Sequence, residues 1–144
     1  MSLSGPLYAG RIRLLIIDND EGTQQSLSTY LSSRGGRCQI VAAPNAQAAV
    51  ALLERAQVDA VVCSVSNPES CGCELHAKLT QRWPELARSW IFIGTPATEA
   101  DREYIKSVPA PLMSKPLYLP ALADAITQAA ADRAAALTLR LATG

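Results

Sequence analysis

Two carboxylates and an amide directly follow a short apolar run near the start of the chain. Residues 14–17 are all aliphatic, and Asp18, Asn19 and Asp20 come next. A fully apolar run bounded by polar turn formers is typical of a strand buried on both faces of a sheet. In an open parallel sheet, ligands bind just beyond the carboxyl ends of the strands. The two acids therefore occupy the place where an α/β protein holds its site.

Polar residues also end the later apolar runs. Ser64 follows residues 58–63, Gly94 and Thr95 follow residues 90–93, and Lys115 comes after the last run and before Pro116. If these runs are neighbouring parallel strands, their carboxyl ends meet at one edge of the sheet. The sequence therefore predicts a single site built from Asp18, Asn19, Asp20, Ser64, Gly94, Thr95 and Lys115.

The elements that would position these side chains alternate along the chain. The apolar patterns predict strands over residues 11–17, 38–42, 58–63, 90–93 and 111–114, separated by segments with helical spacing. This alternation predicts a single α/β domain, a doubly wound parallel sheet with helices on both faces. Asp20 is placed to cap the first helix. We expect residues 1–10 to be a linker or a tag, residues 11–133 the folded domain, and residues 134–144 a helical tail or linker.

The overall composition argues against several classes of partner. Among 144 residues, 13 basic and 13 acidic side chains cancel, so no global attraction to nucleic acid or to a membrane surface is expected. No apolar run approaches the roughly 18 residues of a membrane span, and no signal-peptide pattern opens the chain. Nothing suggests that the four cysteines form a secreted disulfide framework. These features predict a cytoplasmic domain.

Taken in order, these motifs resemble the receiver domain of response regulators, the flavodoxin-like module of two-component signalling. The resemblance covers about residues 11–133 and rests on three features: residues 17–20, the phasing of residues 59–64 before Asn67-Pro68 and Gly72, and Lys115-Pro116. It implies a (βα)5 sheet with the strand order 2-1-3-4-5. It also implies a cis peptide bond before Pro116 that orients Lys115.

The resemblance assigns a family role to each strand-end position. In receivers, an acidic pair and an aspartate ending the third strand hold Mg²⁺, and that aspartate takes a phosphoryl group from a histidine kinase. A hydroxyl residue and a lysine contact the phosphoryl group, and an aromatic switch residue on the fifth strand moves in response. The matching positions here are Asp18 and Asn19 for the acidic pair, Ser64 for the phosphoacceptor, Gly94 for the hydroxyl residue, Leu112 for the switch and Lys115 for the lysine.

The departures from the family pattern predict that phosphotransfer is lost. Ser64 offers no carboxylate for an acyl phosphate, and a hydroxyl is a poor nucleophile without an adjacent base. Asp18 alone balances Lys115, so Mg²⁺ binding is expected to be weak or absent, with Asp18 and Asn19 as ligands if any. We therefore expect a non-enzymatic, atypical receiver that lacks the phosphoacceptor aspartate. Such a domain would be an interaction or regulatory module of a phosphorelay protein, for example a hybrid sensor histidine kinase.

The partners implied by the resemblance are proteins. We expect a histidine kinase or an output domain to bind, and a homodimer to form through the fourth helix, the fifth strand and the fifth helix. No binding to nucleic acid or insertion into a membrane is expected of this domain.

An enzymatic function is the alternative hypothesis. Asp18 and Asp20 form an Asp-x-Asp motif after an apolar strand, which resembles the nucleophile motif of haloacid-dehalogenase-type, Mg²⁺-dependent phosphatases. Against this reading, Gly22 stands where that motif continues with Thr or Val, and Lys115 comes after the fourth strand. The chain also has no room for a cap domain.

A second cluster of reactive side chains lies at Cys71, Cys73 and His76. The spacing misses the common zinc patterns, and no fourth ligand is evident. We interpret the two cysteines as incidental loop residues and His76 as a solvent-facing helix residue. Asp59, which precedes the third strand, is expected to make a local turn contact.

Overall fold

The computed structural model describes residues 11–33, 38–67 and 70–143. Its centre is a sheet of five parallel strands. These are β1 (Ile12–Ile17), β2 (Cys38–Ala43), β3 (Ala60–Ser64), β4 (Trp90–Ile93) and β5 (Leu112–Met113). They lie in the order β2-β1-β3-β4-β5, and every neighbouring pair is parallel. The predicted flavodoxin-like order 2-1-3-4-5 is therefore confirmed.

Helices connect the strands and cover both faces of the sheet. They are α1 (Glu21–Ser33), α2 (Ala46–Arg55), α3 (Gly72–Arg82), α4 (Glu99–Ser107) and α5 (Leu119–Thr143). Side-chain caps define two of the starts, because Asn45 accepts the N–H of Ala48 and Thr98 accepts the N–H of Asp101. A short antiparallel ribbon, Ser66–Asn67 with Ser70–Cys71, leads from β3 into α3.

Alternation along β1 produces two hydrophobic cores. Leu15 and Ile17 face the core that α2, α3 and α4 complete, whereas Leu14 and Ile16 face the core under α1 and α5. All four side chains are essentially inaccessible to solvent. Burying a large aliphatic side chain contributes about 1.5–3 kcal/mol. The continuous apolar run thus follows from burial on both faces, and it places Asp18 at the carboxyl edge of the sheet.

Four strands differ in length from the sequence prediction, three of them by one residue and the fifth strand by two. The fifth strand was predicted over residues 111–114 but spans only Leu112–Met113. Pro111 has no N–H to donate and contributes only its carbonyl, which accepts the N–H of Phe92 at 2.8 Å. In the other direction, α5 continues as one helix of 25 residues as far as Thr143. None of the described helices is both long and apolar enough to cross a membrane.

The prediction for His76 was wrong. His76 is 3% exposed rather than solvent-facing. Its Nδ1 lies 2.7 Å from the hydroxyl of Tyr104, and its ring contacts those of Trp90 and Phe92 at centroid distances of 5.0 and 5.5 Å. His76 lies three residues after Cys73 and three residues before Leu79, which are both buried, so it shares their face of α3. Burial lowers the pKa of His76 to about 4.

Asp59 makes long-range contacts that the sequence did not predict. It is 7% exposed, its Oδ2 accepts the N–H of Arg13 at 2.8 Å, and its Oδ1 lies 3.3 Å from Nη1 of Arg133. A buried carboxylate needs such partners because desolvation of an unpaired charge is costly. Asp59 therefore joins β1 and α5 to the start of β3.

Candidate functional site at the carboxyl edge of the sheet

Asp18 is held rigidly at the end of β1. Its N–H donates to the carbonyl of Ala43 at 3.1 Å, which extends the ladder between β1 and β2 by one residue. Its Oδ1 accepts the N–H of Asp20 at 3.0 Å, and its carbonyl accepts Nε2 of Gln24 at 2.6 Å. The side chain is 2% exposed. The second oxygen, Oδ2, has no hydrogen-bond partner, so a nearby cation must balance its charge.

Asp20 opens α1 as the sequence predicted. Its Oδ2 accepts the hydroxyl of Thr23 at 3.0 Å, and its Oδ1 accepts the N–H of Gly22 at 2.9 Å. These two hydrogen bonds, together with the more distant charge of Lys115, lower the pKa of Asp20 below its usual value. Asp20 is therefore an ionised, exposed capping residue that also faces the site.

Lys115 lies between the two carboxylates. Its Nζ is 3.5 Å from Oδ2 of Asp18 and 3.6 Å from Oδ2 of Asp20. The peptide bond from Lys115 to Pro116 is cis, the isomer expected from the sequence. The predicted Asp18–Lys115 ion pair is thus present, and the charge on the orphaned oxygen of Asp18 is balanced by a partly exposed ammonium group.

Ser64 ends β3 at the neighbouring strand position. It is 7% exposed and pairs in register with Ile93 of β4. The backbone of Gly72 packs directly on the carbonyl of Ser64, where an added Cβ would clash with that oxygen and lie 2.9 Å from Cα of Val65. The N–H of Gly72 also donates to the carbonyl of Val65 at 3.0 Å. Gly72 therefore fixes the start of α3 against the end of β3.

The remaining predicted positions contribute little polar chemistry. Gly94 is buried after β4 with φ of 105°, a backbone conformation that favours glycine, and its N–H donates to the carbonyl of Met113 at 2.9 Å. Asn19 and Thr95 are exposed. Leu112, at the switch position on the edge strand β5, is 36% exposed.

The structure thus brings together the two acids and the lysine. A cavity of about 350 Å³ opens beside them and is lined by Asp20, Gly22, Thr23, Ser26, Lys115, Pro116, Leu117 and Leu119. Asp18 and Ser64 are not among the residues that line this cavity. Sequence reasoning missed the contribution of Thr23, although its place three residues after an acidic capping residue is a usable signal.

The sequence comparison identifies the family. The model of the response regulator receiver domain matches residues 14–127. No curated protein sequence matches the chain significantly.

Several solved structures share the fold. The signal receiver domain of an HD domain-containing protein from Pseudomonas fluorescens Pf-5 superposes with a TM-score of 0.79 at 22% identity, covering 91% of this chain and 95% of that one. The chemotaxis response regulator CheY4 of Vibrio cholerae superposes with a TM-score of 0.69 at 18% identity. The match covers 83% of this chain and 98% of that one.

A receiver domain of a signal transduction histidine kinase from Syntrophus aciditrophicus has a TM-score of 0.70 at 22% identity, with 82% of this chain and 89% of that one covered. Identities this low show a common fold and nothing finer. The family itself is shown by the sequence match over residues 14–127, joined to the strand order and to the acids and lysine at the sheet edge. The chain belongs to the response regulator receiver domain family.

Proposed function

We propose that this receiver domain regulates through protein contacts and does not accept a phosphoryl group. The observation that carries the proposal is Ser64, the residue that ends β3. In receivers this position holds the aspartate that forms the acyl phosphate. A serine hydroxyl needs an adjacent base to become a nucleophile, and the two acids of the site are engaged with Lys115 at 3.5 and 3.6 Å.

The donor set also fits Mg²⁺ poorly. A magnesium ion prefers near-octahedral oxygen ligands and is commonly held by carboxylates. Asp18 and Asp20 offer two negative charges, of which Lys115 neutralises one. Both oxygens of Asp20 are already hydrogen-bonded or ion-paired. We infer that Lys115 occupies the electrostatic role that the metal has in other receivers.

The positions that read out phosphorylation are altered as well. Gly94 has no hydroxyl, and its φ of 105° disfavours a residue that would supply one. Leu112 replaces the aromatic switch and is partly exposed on the edge strand. Without a hydroxyl at position 94, a phosphoryl group at the sheet edge would lack one of its hydrogen-bond donors. Without an aromatic residue at position 112, no aromatic side chain could move in response.

Binding to other proteins is the function that these residues still allow. Receiver domains are generally non-catalytic signalling modules that bind histidine kinases or output domains. We propose such a partner here, in a phosphorelay protein, and a homodimer through the face formed by α4, β5 and α5. Leu112 and Tyr118, 36% and 72% exposed, provide apolar area on or beside this face. The phosphatase alternative gains no support from the family match.

A phosphodonor assay tests the central proposal. The purified chain is incubated with acetyl phosphate, or with beryllofluoride, in the presence and absence of Mg²⁺, and intact mass or fluorine NMR detects an adduct. We expect none on the natural chain. A stoichiometric, Mg²⁺-dependent adduct at the sheet edge would contradict the proposal.

A matched pair of variants shows whether the missing carboxylate is the reason. Ser64→Asp adds an acid at the end of β3, and we expect it to tighten Mg²⁺ binding by at least about tenfold. Ser32→Asp adds the same charge at an exposed position in the last turn of α1, far along the helix from Asp20, and should leave Mg²⁺ affinity nearly unchanged. Equal effects from both variants would point to bulk charge rather than to the site.

The dimer is tested by light scattering coupled to size exclusion. We expect a concentration-dependent dimer that Leu112→Asp dissociates, since a stable interface of about 1,000 Å² or more depends on its apolar centre. Thr95→Asp, at an exposed site outside the proposed face, should leave the dimer intact. A natural chain that stays monomeric would remove this part of the proposal.

A further inference from the structure

Two cysteine thiols and a carboxylate converge between the starts of α3 and α4. The donor atoms of Cys71, Cys73 and Asp101 all lie within 4.8 Å of one another. Sγ of Cys71 is 3.5 Å from Oδ1 of Asp101, and Sγ of Cys73 is 3.8 Å from the carbonyl oxygen of the same residue. Within the described part of the chain, this is the one group of three metal-ligating side chains at such spacing.

One pair of donor atoms in this cluster already has the spacing of ligands around a tetrahedral metal ion. Zinc bonds of about 2.3 Å to sulfur and about 2.1 Å to oxygen place a sulfur and an oxygen ligand about 3.6 Å apart at the tetrahedral angle. The distance between Sγ of Cys71 and Oδ1 of Asp101 is 3.5 Å. This pair of donor atoms therefore needs little rearrangement to hold a zinc-sized ion, and the separations of up to 4.8 Å within the cluster would have to shorten.

The backbone fixes this cluster from two sides. Gly72, between the two cysteines, packs on the carbonyl of Ser64 with no room for a side chain. Asp101 lies in the first turn of α4, where its N–H donates to the cap residue Thr98 at 3.1 Å. Cys71 is the N-cap residue of α3, and Cys73 and Asp101 lie in the first turns of α3 and α4.

Exposure differs among the three ligands in a way that suits metal entry. Cys73 is 6% exposed, whereas Cys71 and Asp101 are only partly buried. An ion can therefore reach the group from solvent and still have one sulfur ligand shielded. The imidazole of His76, grouped with these cysteines in the sequence analysis, is instead bonded to Tyr104 at 2.7 Å.

We propose that Cys71, Cys73 and Asp101 form a binding site for a thiophilic divalent cation such as Zn²⁺, with the fourth position open to water or to a partner's ligand. Binding replaces the two thiol protons with two metal–sulfur bonds and releases both protons to solvent. The bound ion ties the start of α3 to the start of α4. Because Gly72 packs on Ser64, the bound ion also connects the start of α4 to the end of β3.

Cobalt is the probe for the test, because thiolate–Co²⁺ charge transfer and the d–d bands of tetrahedral Co²⁺ are both visible. The reduced full chain is titrated with Co²⁺ under a phosphine reductant, and Zn²⁺ is then added. We expect one Co²⁺ per chain with a thiolate band, and loss of the band as Zn²⁺ displaces it. Absence of a thiolate band at one equivalent would overturn the proposal.

Variants assign the ligands. Because loss of an outer-shell contact already costs 10–100-fold in affinity at metal sites, Cys71→Ser, Cys73→Ser and Asp101→Asn should each weaken Co²⁺ binding by at least about tenfold. Cys38→Ser and Glu103→Gln remove a thiol and a carboxylate elsewhere and should change nothing. Unchanged Co²⁺ affinity in Cys71→Ser, or loss of the thiolate band in Cys38→Ser, would assign the metal to another site and refute this one.

A fold control accompanies these variants. Cys73 is buried, so its variant is compared with the natural chain by far-UV circular dichroism and thermal unfolding without metal. Asp101→Asn keeps the size and the cap of α4, and its loss of affinity with unchanged metal-free unfolding is the decisive support. Unchanged Co²⁺ affinity in a folded Asp101→Asn variant would contradict the proposal.

Discussion

Nη1 of Arg133 in α5 lies 3.3 Å from Oδ1 of Asp59 at the start of β3, a contact between residues 74 positions apart. Both side chains are nearly inaccessible to solvent, at 7% and 11% exposed. The guanidinium also donates to Oε1 of Gln57 at 3.3 Å through Nη2. The pair attaches α5 to the edge of the sheet opposite the acidic site, at a residue beyond the span 14–127 of the family match.

Removing the cation of this pair should strongly destabilise the domain. Arg133→Met keeps an unbranched apolar stem but removes the guanidinium that faces the buried Asp59 carboxylate, at a cost of about 3 kcal/mol in the free energy of unfolding. Urea denaturation measures the loss. Arg88→Met, at an exposed position, should stay within about 0.5 kcal/mol.

A double variant separates charge from packing. Adding Asp59→Asn to Arg133→Met removes the uncompensated charge while an amide oxygen can still accept the N–H of Arg13. We expect the double variant to regain more than about 1 kcal/mol over additivity. Strict additivity would show that the two side chains are not energetically coupled.

Lys115→Met should destabilise the domain less, by about 1–2 kcal/mol. The Asp18 carboxylate would keep its hydrogen bond from Asp20 but lose the ammonium group 3.5 Å from Oδ2. The lysine is 37% exposed, so solvent screens part of the interaction. Chemical denaturation at low and high salt measures the effect, which should shrink as salt rises.

Lys78→Met is the matched control for the lysine variant, because Lys78 is exposed on α3. It should change the free energy of unfolding by less than about 0.5 kcal/mol. In addition, Asp18→Asn should make the Lys115→Met change nearly harmless. If Lys115→Met changes the free energy of unfolding equally little in the chain that keeps Asp18, the ion pair does not contribute to stability.

Gly94→Ala should cost about 1–2 kcal/mol. The nearest side-chain atom to an added Cβ is Oγ of Ser66 at 4.0 Å, so there is space, but the φ of 105° is strained for any residue with a Cβ. Gly22→Ala is the control at a helical position and should cost far less, since alanine favours helix. Equal costs in thermal unfolding would argue against backbone strain at Gly94.

His76 should remain neutral down to a pH of about 4. Its pKa is lowered from 6.5 to about 4 because burial penalises the imidazolium. Between these pH values the unfolded chain binds a proton that the folded chain does not. The contribution of the neutral imidazole is therefore complete above about pH 6.5 and is lost as the pH falls towards 4, by at most about 3 kcal/mol.

NMR can follow this titration without assignment, since the chain has a single histidine. Denaturation of the natural chain and of His76→Leu across the same pH range isolates the histidine from the carboxylates that also titrate there. The free energy of unfolding of the natural chain should fall relative to that of His76→Leu as the pH falls. A histidine that titrates near pH 6.5 in the folded protein would show that the ring is hydrated.

The fold could be predicted from the sequence because it depends on local patterns. Runs buried on both faces, such as residues 14–17, must be apolar throughout, and parallel strands place their polar ends at one edge. Asp18, Asp20 and Lys115 could therefore be assigned to one site before their distances were known. The capping role of Asp20 was equally predictable, because a cap and its helix are adjacent in the chain.

Tertiary structure decided the partners of the remaining polar groups. Asp59 and Arg133 are 74 positions apart, and Cys71 and Asp101 are 30 apart. Periodicity predicts which face of an element is buried, but not which residue of another element lies opposite. For this reason His76 was wrongly placed in solvent, and the cysteines were grouped with it rather than with Asp101. Local sequence patterns were enough to predict the parallel sheet and the polar residues at its carboxyl edge. The packing of helices decides which charged groups and thiols are in contact.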